Sequence, residues 1–495
     1  MKAKEKQGFF SFFFKKENLF PIITALAAGL YPLLFYYTNN FKLINSWGHF
    51  GYFISLFLLT PIVVFFIAHK ISKFQVFEKL QPYVLPFLNF FAFFFFLNVA
   101  LYASFSWLRT FVVFAIAFLL IFLLWKYFKK IIAFQFILAI IGVFTLTPVL
   151  IKQLNYSKEW MKQPDGIETA VFKKKPNIYY IQPDGYVNFS ELKKGNYKIE
   201  NSVFENFLKE NNFKTYPNFR SNYAATLPSN SATFMMKHHY YNNGSDFTET
   251  IDARGIVITE NSVLKFLKHN NYHTFFLAEQ PYFLASKPKL GYDFSNFSLK
   301  EIEFITKGIG EPRDVIEPFK NYLKTYNQGP NFFFIEIFNP GHIINRESKS
   351  KGIEGERAHY IESLTESNKK LTELTKTILK NDPEALIIIM ADHGGFVGMR
   401  HTNESITKNT DPDFVNSMFS TIMAIHWPNG EAPEIDAKLK SSVNLFRILV
   451  SYLSENDSYL SNLQPDESYI IINFDAPKGV YEYLDTDGNV VFKKH

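Results

Sequence analysis

The hydrophobic pattern of this chain changes character near residue 152. Before it, uncharged apolar runs of roughly 18 residues or more follow one another. After it, short apolar runs alternate with amphipathic segments of helical period. The long runs are residues 19–38, 49–69, 83–103, 107–125 and 131–151, each long enough to cross a bilayer as a helix. Pro32, Pro61, Pro86 and Gly142 lie inside them, which membrane helices tolerate better than soluble ones. The first run is no cleavable signal, because it is long, lacks a small-x-small cleavage site and is followed by further spans. Lysines mark alternate connections. Lys2, Lys4, Lys6, Lys15 and Lys16 fill the N-terminal tail; Lys70, Lys73 and Lys79 follow the second run, and Lys126, Lys129 and Lys130 follow the fourth. The other loops offer only Lys42 and Arg109. Basic loops stay cytoplasmic, so the alternation predicts the tail inside, five crossings, and everything after residue 152 outside the cytoplasm. Apart from Arg109 near an edge, the runs hold no Asp, Glu, Lys or Arg, which disfavours a transporter and favours an anchor in the lipid bilayer.

Residues 153–175 are polar, contain Pro164, Asp165 and Gly166, and read as a juxtamembrane linker. Four strand-like runs follow: 177–182 (NIYYIQ), 272–278 (YHTFFLA), 332–338 (FFFIEIF) and 386–391 (LIIIMA). Helix-period segments at 202–211, 262–270, 315–326 and 359–379 lie between them. This alternation predicts an α/β domain over 176–495, with a mainly parallel sheet sandwiched by helices and its ligands beyond the carboxyl ends of the strands. The tail pieces SYIIINF and VYEYLDTDGNVVFKKH, with Asp487-Gly488 between apolar runs, predict a small C-terminal β-hairpin. The expected organisation is thus 1–152 a five-helix transmembrane domain, 153–175 a linker and 176–495 an extracytoplasmic domain.

Composition narrows the chemistry. Hydrophobic residues make up 47% of the 495 and charged residues 20%, which excludes wholesale disorder. There is no cysteine, hence no disulfide, thiolate ligand, cysteine nucleophile or residue made by oxidising one. A net charge of +6 is too small to argue for nucleic acid. Richness in Phe, Lys and Asn points to an AT-rich bacterial genome, and with the spans to a multi-pass bacterial plasma (inner) membrane protein.

The strand ends carry the candidate chemistry. Asp184-Gly185 follows the first, Glu279 the second, Asn339-Pro340-Gly341-His342 the third and Asp392-His393-Gly394-Gly395 the fourth. A carboxylate and an imidazole side by side suit a hard or borderline divalent cation, and the glycines let the backbone turn and approach a ligand. In Asn222 to Phe234 (NYAATLPSNSATF), Pro228 suits the first turn of a helix. Thr226 would sit just before that helix, either as a cap or as a hydroxyl in the field of its N-terminus. Cation coordination would make the alkoxide of such a hydroxyl accessible as a nucleophile. His238-His239 reads as a partly exposed helix face, and Asp411-Pro412-Asp413 as a turn.

The PNIYYIQPDGY opening, the T-L-P-S stretch about 40 residues on and the late MADHGG together resemble the alkaline phosphatase superfamily. The likeness is to its sulfatase-like membrane branch of lipoteichoic acid synthases and phosphoethanolamine transferases. It spans roughly residues 175 to 450 and implies an alkaline phosphatase-like fold. By position it implies Asp184, Thr226, Asp392 and His393 as ligands of a divalent metal (Mn²⁺ or Zn²⁺, with Mg²⁺ or Ca²⁺ as alternatives). It implies Thr226 as the nucleophile, attacking a phosphorus or sulfur ester of an envelope lipid or glycan. His342 stands where many members carry P-H-x-P-F, and His401-Thr402 resembles a metal-binding HT motif; both are expected to contact substrate or a second metal. Formylglycine sulfatases need Cys or Ser at the nucleophile and a following Arg; here stand Thr226 and Asn230, which favours phosphoryl chemistry. A catalytically inactive sulfatase-fold scaffold of the envelope is the competing reading.

Overall fold

The computed structural model describes residues 20–244, 249–305, 310–472 and 475–495. The tail lysines and Leu19, where the first apolar run begins, lie outside the described residues. The chain divides into two compact units. One is Met1–Asn155 with Ala285–Lys287 and Glu303–Gly310; the other is Tyr156–Leu284, Pro288–Ile302 and Glu311–His495.

The first unit is built of apolar helices: α1 (Pro21–Ile44), α2 (Trp47–Ile71), α3 (Gln81–Tyr102), α4 (Trp107–Leu124) and α5 (Phe128–Asn155). A 3₁₀ turn at Trp125–Tyr127 separates the last two, which otherwise form one continuous helical stretch; each of the four stretches is long and apolar enough to cross a membrane. Ser46 and Ser106 cap α2 and α4 by accepting from the backbone N–H of His49 and Arg109. Trp47 and Trp107, in the first turns of these helices, are almost fully exposed, as interfacial tryptophans are. Phe111, Phe118 and Phe122 of α4 also point outward.

Inside the unit the packing is close. Pro61 lacks an N–H, so the carbonyl four residues earlier, on Phe57, has no α-helical donor. The helix answers with a π-turn at Ser55–Leu59. A Cβ on Gly29 would lie 1.9 Å from that Phe57 oxygen, so only glycine lets α1 pass there. Asn89 of α3 and Gln135 of α5 exchange two amide hydrogen bonds of 2.9 Å, and Asn89 also donates to the Thr24 carbonyl of α1. In apolar surroundings these amides satisfy one another, and removing one strands the other. We expect Asn89→Leu to destabilise the unit by about 1 kcal/mol and Asn89→Leu with Gln135→Leu to recover most of it. Thermal melts in detergent check this.

The second unit is a seven-stranded sheet covered on both faces. Its strands are β1 (Ile178–Pro183), β2 (Phe213–Thr215), β3 (His273–Ala278), β4 (Phe294–Ser295), β5 (Asn331–Ile337), β6 (Leu386–Met390) and β7 (Met423–His426), in the order β2-β7-β6-β1-β5-β3-β4. β6, β1, β5, β3 and β4 run parallel; at one edge β7 pairs antiparallel with β6, and β2 pairs antiparallel with β7 and so runs in the common direction again. Helices α6 (Ser202–Glu210), α7 (Thr226–Met235), α8 (Ala253–Ile258), α9 (Ser262–His269), α10 (Ile316–Thr325), α11 (Gly352–Asn381), α12 (Pro412–Phe419) and α13 (Leu445–Ser454) surround it. Because side chains alternate along a strand, each central strand feeds two cores. Tyr179, Ile181, Phe333, Ile335, Ile387 and Ile389 meet α6, α10 and α11 on one face. Tyr180, Phe334 and Ile388 meet α7, α8, α9 and α13 on the other.

Residues 156–175 differ from a free linker. Their spaced apolar side chains Ile167, Ala170 and Phe172 enter the second core, and Asn270 holds the backbone of Phe172 and Ala170. At the C-terminus, β8 (Ser468–Ile471), β9 (Val480–Leu484) and β10 (Val490–Lys494) make a three-stranded antiparallel sheet, β9 and β10 joined through Asp487-Gly488. Arg220 fastens it by donating to the carbonyls of Asp466, Asp485 and Thr486.

Candidate active and metal site

The carboxyl edge of the sheet gathers residues far apart in sequence. β1 ends at Pro183, and the next residue, Asp184, still donates its N–H to Ile337 of β5 (2.8 Å). The chain then turns at Gly185, φ +65°, where a Cβ would lie 2.2 Å from the Gly341 carbonyl oxygen. The turn also aims the Gly185 N–H at Asp392 Oδ1, 3.3 Å away. β6 ends at Met390, two residues before Asp392, and Gly395 lets the ring of Tyr360 approach closely. That tyrosine, from α11, donates to the Gly185 carbonyl and accepts from the Val187 N–H, so one phenol braces both turns.

Thr226 is the first residue of α7, with Ala225 before it in extended conformation. It is therefore inside the helix rather than before it, and its hydroxyl still lies at the positive end of the helix. Ser229, one turn on, donates to the Asp392 carbonyl (2.6 Å), which ties α7 to the end of β6. The Thr226 Oγ1 stands 3.2 Å from His393 Nε2. That same Nε2 lies 3.3 Å from Asp184 Oδ1 and 3.4 Å from Asp392 Oδ2. Asp184, Asp392 and His393 are buried and offer ligand atoms all within 4.8 Å of one another.

The donor set fits a divalent cation. His393 Nδ1 donates to the Gly394 carbonyl (2.8 Å), so Nε2 is the atom turned toward the carboxylates, the usual orienting arrangement for a ligating histidine. Asp184 Oδ1 and Asp392 Oδ2 are buried without a hydrogen-bond partner. Buried carboxylates that are unpaired are costly. Burial and the Asp392 charge push Asp184 up to about 8. Burial lowers His393, but the carboxylates of Asp392 and Asp184 outweigh it and raise the group. A third acid belongs to the same field. Glu336 of β5, paired in register with Gln182, is buried with Oε2 unpartnered, and burial followed by the charges of Asp184, Asp392 and Glu279 holds it well above the carboxylate range.

A carboxyl whose pKa rises on folding binds more protons folded than unfolded. Its contribution to stability is complete below the unfolded value and is lost as pH climbs through the folded one. For Asp184 that window runs from 3.8 to about 8. We therefore expect the melting temperature in EDTA to fall between pH 5 and pH 8, and saturating Mn²⁺ to flatten the decline. An EDTA series without that slope would contradict the assignment.

His342 lies on the same edge. Its Nδ1 donates to the Ile343 carbonyl (2.6 Å), its ring centre is 5.7 Å from that of His393, and burial with the nearby His393 charge lowers it to about 4. Beside it, Lys370 of α11 binds Glu279 and Asn339, and Glu279 accepts from the Phe338 N–H. His401 is not in the ligand group found among the described residues; its Nε2 is 4.0 Å from Glu404 Oε1. His238-His239 is no exposed pair. His239 is fully buried, stacked on Tyr223, with Nε2 bonded to the Pro228 carbonyl and Nδ1 3.1 Å from Thr250 Oγ1, so it supports α7 from below. Asp411 caps α12. Glu336 escapes motif reasoning; the available signal is an acid inside the apolar run FFFIEIF.

Comparison with curated proteins finds no match. Among solved structures, the C-terminal periplasmic domain of EptC from Escherichia coli, in complex with Zn, is similar at 13% identity and TM-score 0.41, over 58% of this chain and 85% of that one. The corresponding domain of the phosphoethanolamine transferase EptC from Campylobacter jejuni gives 16% and 0.37, over 57% and 90%. The integral membrane lipooligosaccharide phosphoethanolamine transferase A (EptA) from Neisseria meningitidis gives 13% and 0.39, over 88% and 95%. The family model described as Sulfatase matches residues 189–454, more than half of the sequence and including Thr226, Asp392 and His393, and on that match the chain belongs to the sulfatase family.

Proposed function

We propose that this chain is a membrane-anchored, metal-dependent phosphoric-ester hydrolase or transferase that works through Thr226 on an envelope lipid or glycan outside the cytoplasm. The observation that carries the reading is the convergence of Thr226 Oγ1, Asp184 Oδ1 and Asp392 Oδ2 on the single nitrogen His393 Nε2, with both carboxylate oxygens otherwise unpartnered. Asp184, Asp392, His393 and the Thr226 hydroxyl would hold the cation. When bound, a divalent cation there supplies a Lewis acid and lowers the pKa of the coordinated hydroxyl.

The residues divide the remaining work. Thr226 Oγ1 attacks phosphorus; the Oγ1–P bond forms as the bond to the leaving oxygen breaks, and that oxygen departs with a proton. The threonine ester then passes its phosphoryl group to water or to an acceptor hydroxyl, restoring the Thr226 O–H. His342 faces substrate with Nε2 bare, because Nδ1 is committed to Ile343, and can accept the proton of the incoming hydroxyl. Thr226 with Asn230 in place of a Cys or Ser with Arg favours phosphoryl over sulfuryl transfer. Asn230 instead donates to the Thr226 carbonyl (3.0 Å), fixing the first turn of α7.

The apolar helices support the anchor. With the basic loops at Lys70 to Lys79 and Lys126 to Lys130 inside, a separate crossing by each of the five apolar runs would set everything after residue 152 on the outer side. The test is hydrolysis of an activated phosphate diester by the full chain in detergent with Mn²⁺ or Zn²⁺. A chain that carries the cation and turns the ester over supports the reading. A folded chain that binds no divalent cation supports the scaffold alternative.

A further inference from the structure

We propose that Arg254 and Tyr282 form the subsite that grips the tetrahedral oxyanion of the ester, the guanidinium and the phenol donating to the oxygens that are not displaced. This rests on reading the neighbouring centre as one that cleaves a phosphate ester.

Two segments without a recognised motif bring the pair together. Arg254 lies on α8, the helix that packs with α7, the helix of Thr226, through Ile256 against Met235 and through Val257 in the core shared with Leu227 and Phe234. Tyr282 lies in the loop that leaves β3, three residues beyond Glu279, whose N–H bonds to the Glu336 carbonyl of β5. Both therefore belong to the sheet edge that carries Asp184. Arg254 Nε donates to the Tyr282 carbonyl (3.0 Å), and the guanidinium carbon sits 4.9 Å from the centre of the Tyr282 ring. These contacts lock the plane of the guanidinium and leave its two terminal nitrogens without a protein partner among the described residues. The phenol O–H of Tyr282 likewise has no hydrogen-bond partner among the described residues.

A guanidinium in that state is unusual. Arg254 is only 6% exposed and makes no ion pair among the described residues. Buried arginines are ordinarily paired, since an uncompensated buried charge is costly. Glu249, Asp184 and Glu336 act on the Tyr282 phenol electrostatically together with Arg254, which sets the phenol near the acids of the ligand cluster. An anion bridging the cluster and Arg254 would complete the charge balance. The planar fork suits two oxygens of a phosphate or sulfate group.

The test uses the full chain loaded with Mn²⁺, with inorganic phosphate and inorganic sulfate as competing inhibitors of an activated phosphate diester. Arg254→Gln should weaken inhibition by phosphate about tenfold or more, the loss expected for a charge-assisted pair, with bound Mn²⁺ unchanged. Tyr282→Phe should weaken it about threefold. Arg254→Lys, which keeps the charge but loses the fork, should fall between wild type and Arg254→Gln. It also separates recognition from folding, because a purely structural role would lower the melting temperature of both arginine variants without changing phosphate affinity. Phosphate should compete better than sulfate. An active wild type whose phosphate affinity survives Arg254→Gln overturns the subsite alone. A Mn²⁺-loaded wild type with neither turnover nor phosphate binding overturns the subsite and the phosphoryl reading together.

Discussion

Thr226→Ala is expected to remove turnover by a factor on the order of 10⁴ or more while the chain stays folded, because the proposed reaction runs through a covalent intermediate on that residue. The prediction is sharp because Thr226 has little structural work. It opens α7 without capping it, and the neighbouring turn is held by Ser229 on Asp392 and by Asn230 on the Thr226 carbonyl. The alanine chain should therefore keep its melting temperature to within a few degrees and retain most of its cation through Asp184, Asp392 and His393. Thr226→Ser keeps the hydroxyl at the same backbone position and should restore a measurable part of the rate. Steady-state hydrolysis with parallel cation analysis checks both variants against the wild type. Full turnover by Thr226→Ala would remove the threonine from the chemistry.

The second large effect concerns the carboxylates. Asp392→Asn should lower cation affinity by about 10² or more and turnover with it, since the change removes the charge of one proposed ligand from a site with two buried acids around one imidazole. The same variant should behave differently in EDTA. Removing one of two mutually repelling carboxylates relieves Asp184, whose raised pKa owes its second-largest part to Asp392. The cation-free Asp392→Asn chain should thus be at least as stable as cation-free wild type at pH 8, although it is inactive. Loss of activity with a stability gain in EDTA distinguishes a ligand from a fold-supporting residue. Equal destabilisation with and without cation would contradict the assignment.

Much of this was legible in the residues. Apolar runs such as NIYYIQ and LIIIMA become β1 and β6 because parallel strands buried on both faces need uninterrupted apolar side chains. The acids that end those runs fall at the sheet edge for the same reason, which is why Asp184 and Asp392 could be named beforehand. What escaped depends on tertiary contacts. Arg254 and Tyr282 lie 28 residues apart with no spacing rule to join them; one bond and one ring contact do so. Glu336 hides inside a strand whose pattern otherwise reads as core. His239 looks like half of a polar surface pair, yet α7 ends at Met235, the chain turns through Met236 at φ +54°, and the ring is stacked on Tyr223. The polar stretch 153–175 reads as a linker because its few apolar residues are widely spaced, yet Trp160, Ile167, Ala170 and Phe172 pack into the second unit.

An anomalous-scattering map from crystals of the full chain grown with Mn²⁺ or Zn²⁺ tests the central claim most directly. One strong peak is expected, bounded by Asp184, Asp392, His393 and the Thr226 hydroxyl, at ligand distances of about 2.0 to 2.3 Å. A map with no density among those four side chains, or with the cation held by other residues, would contradict it.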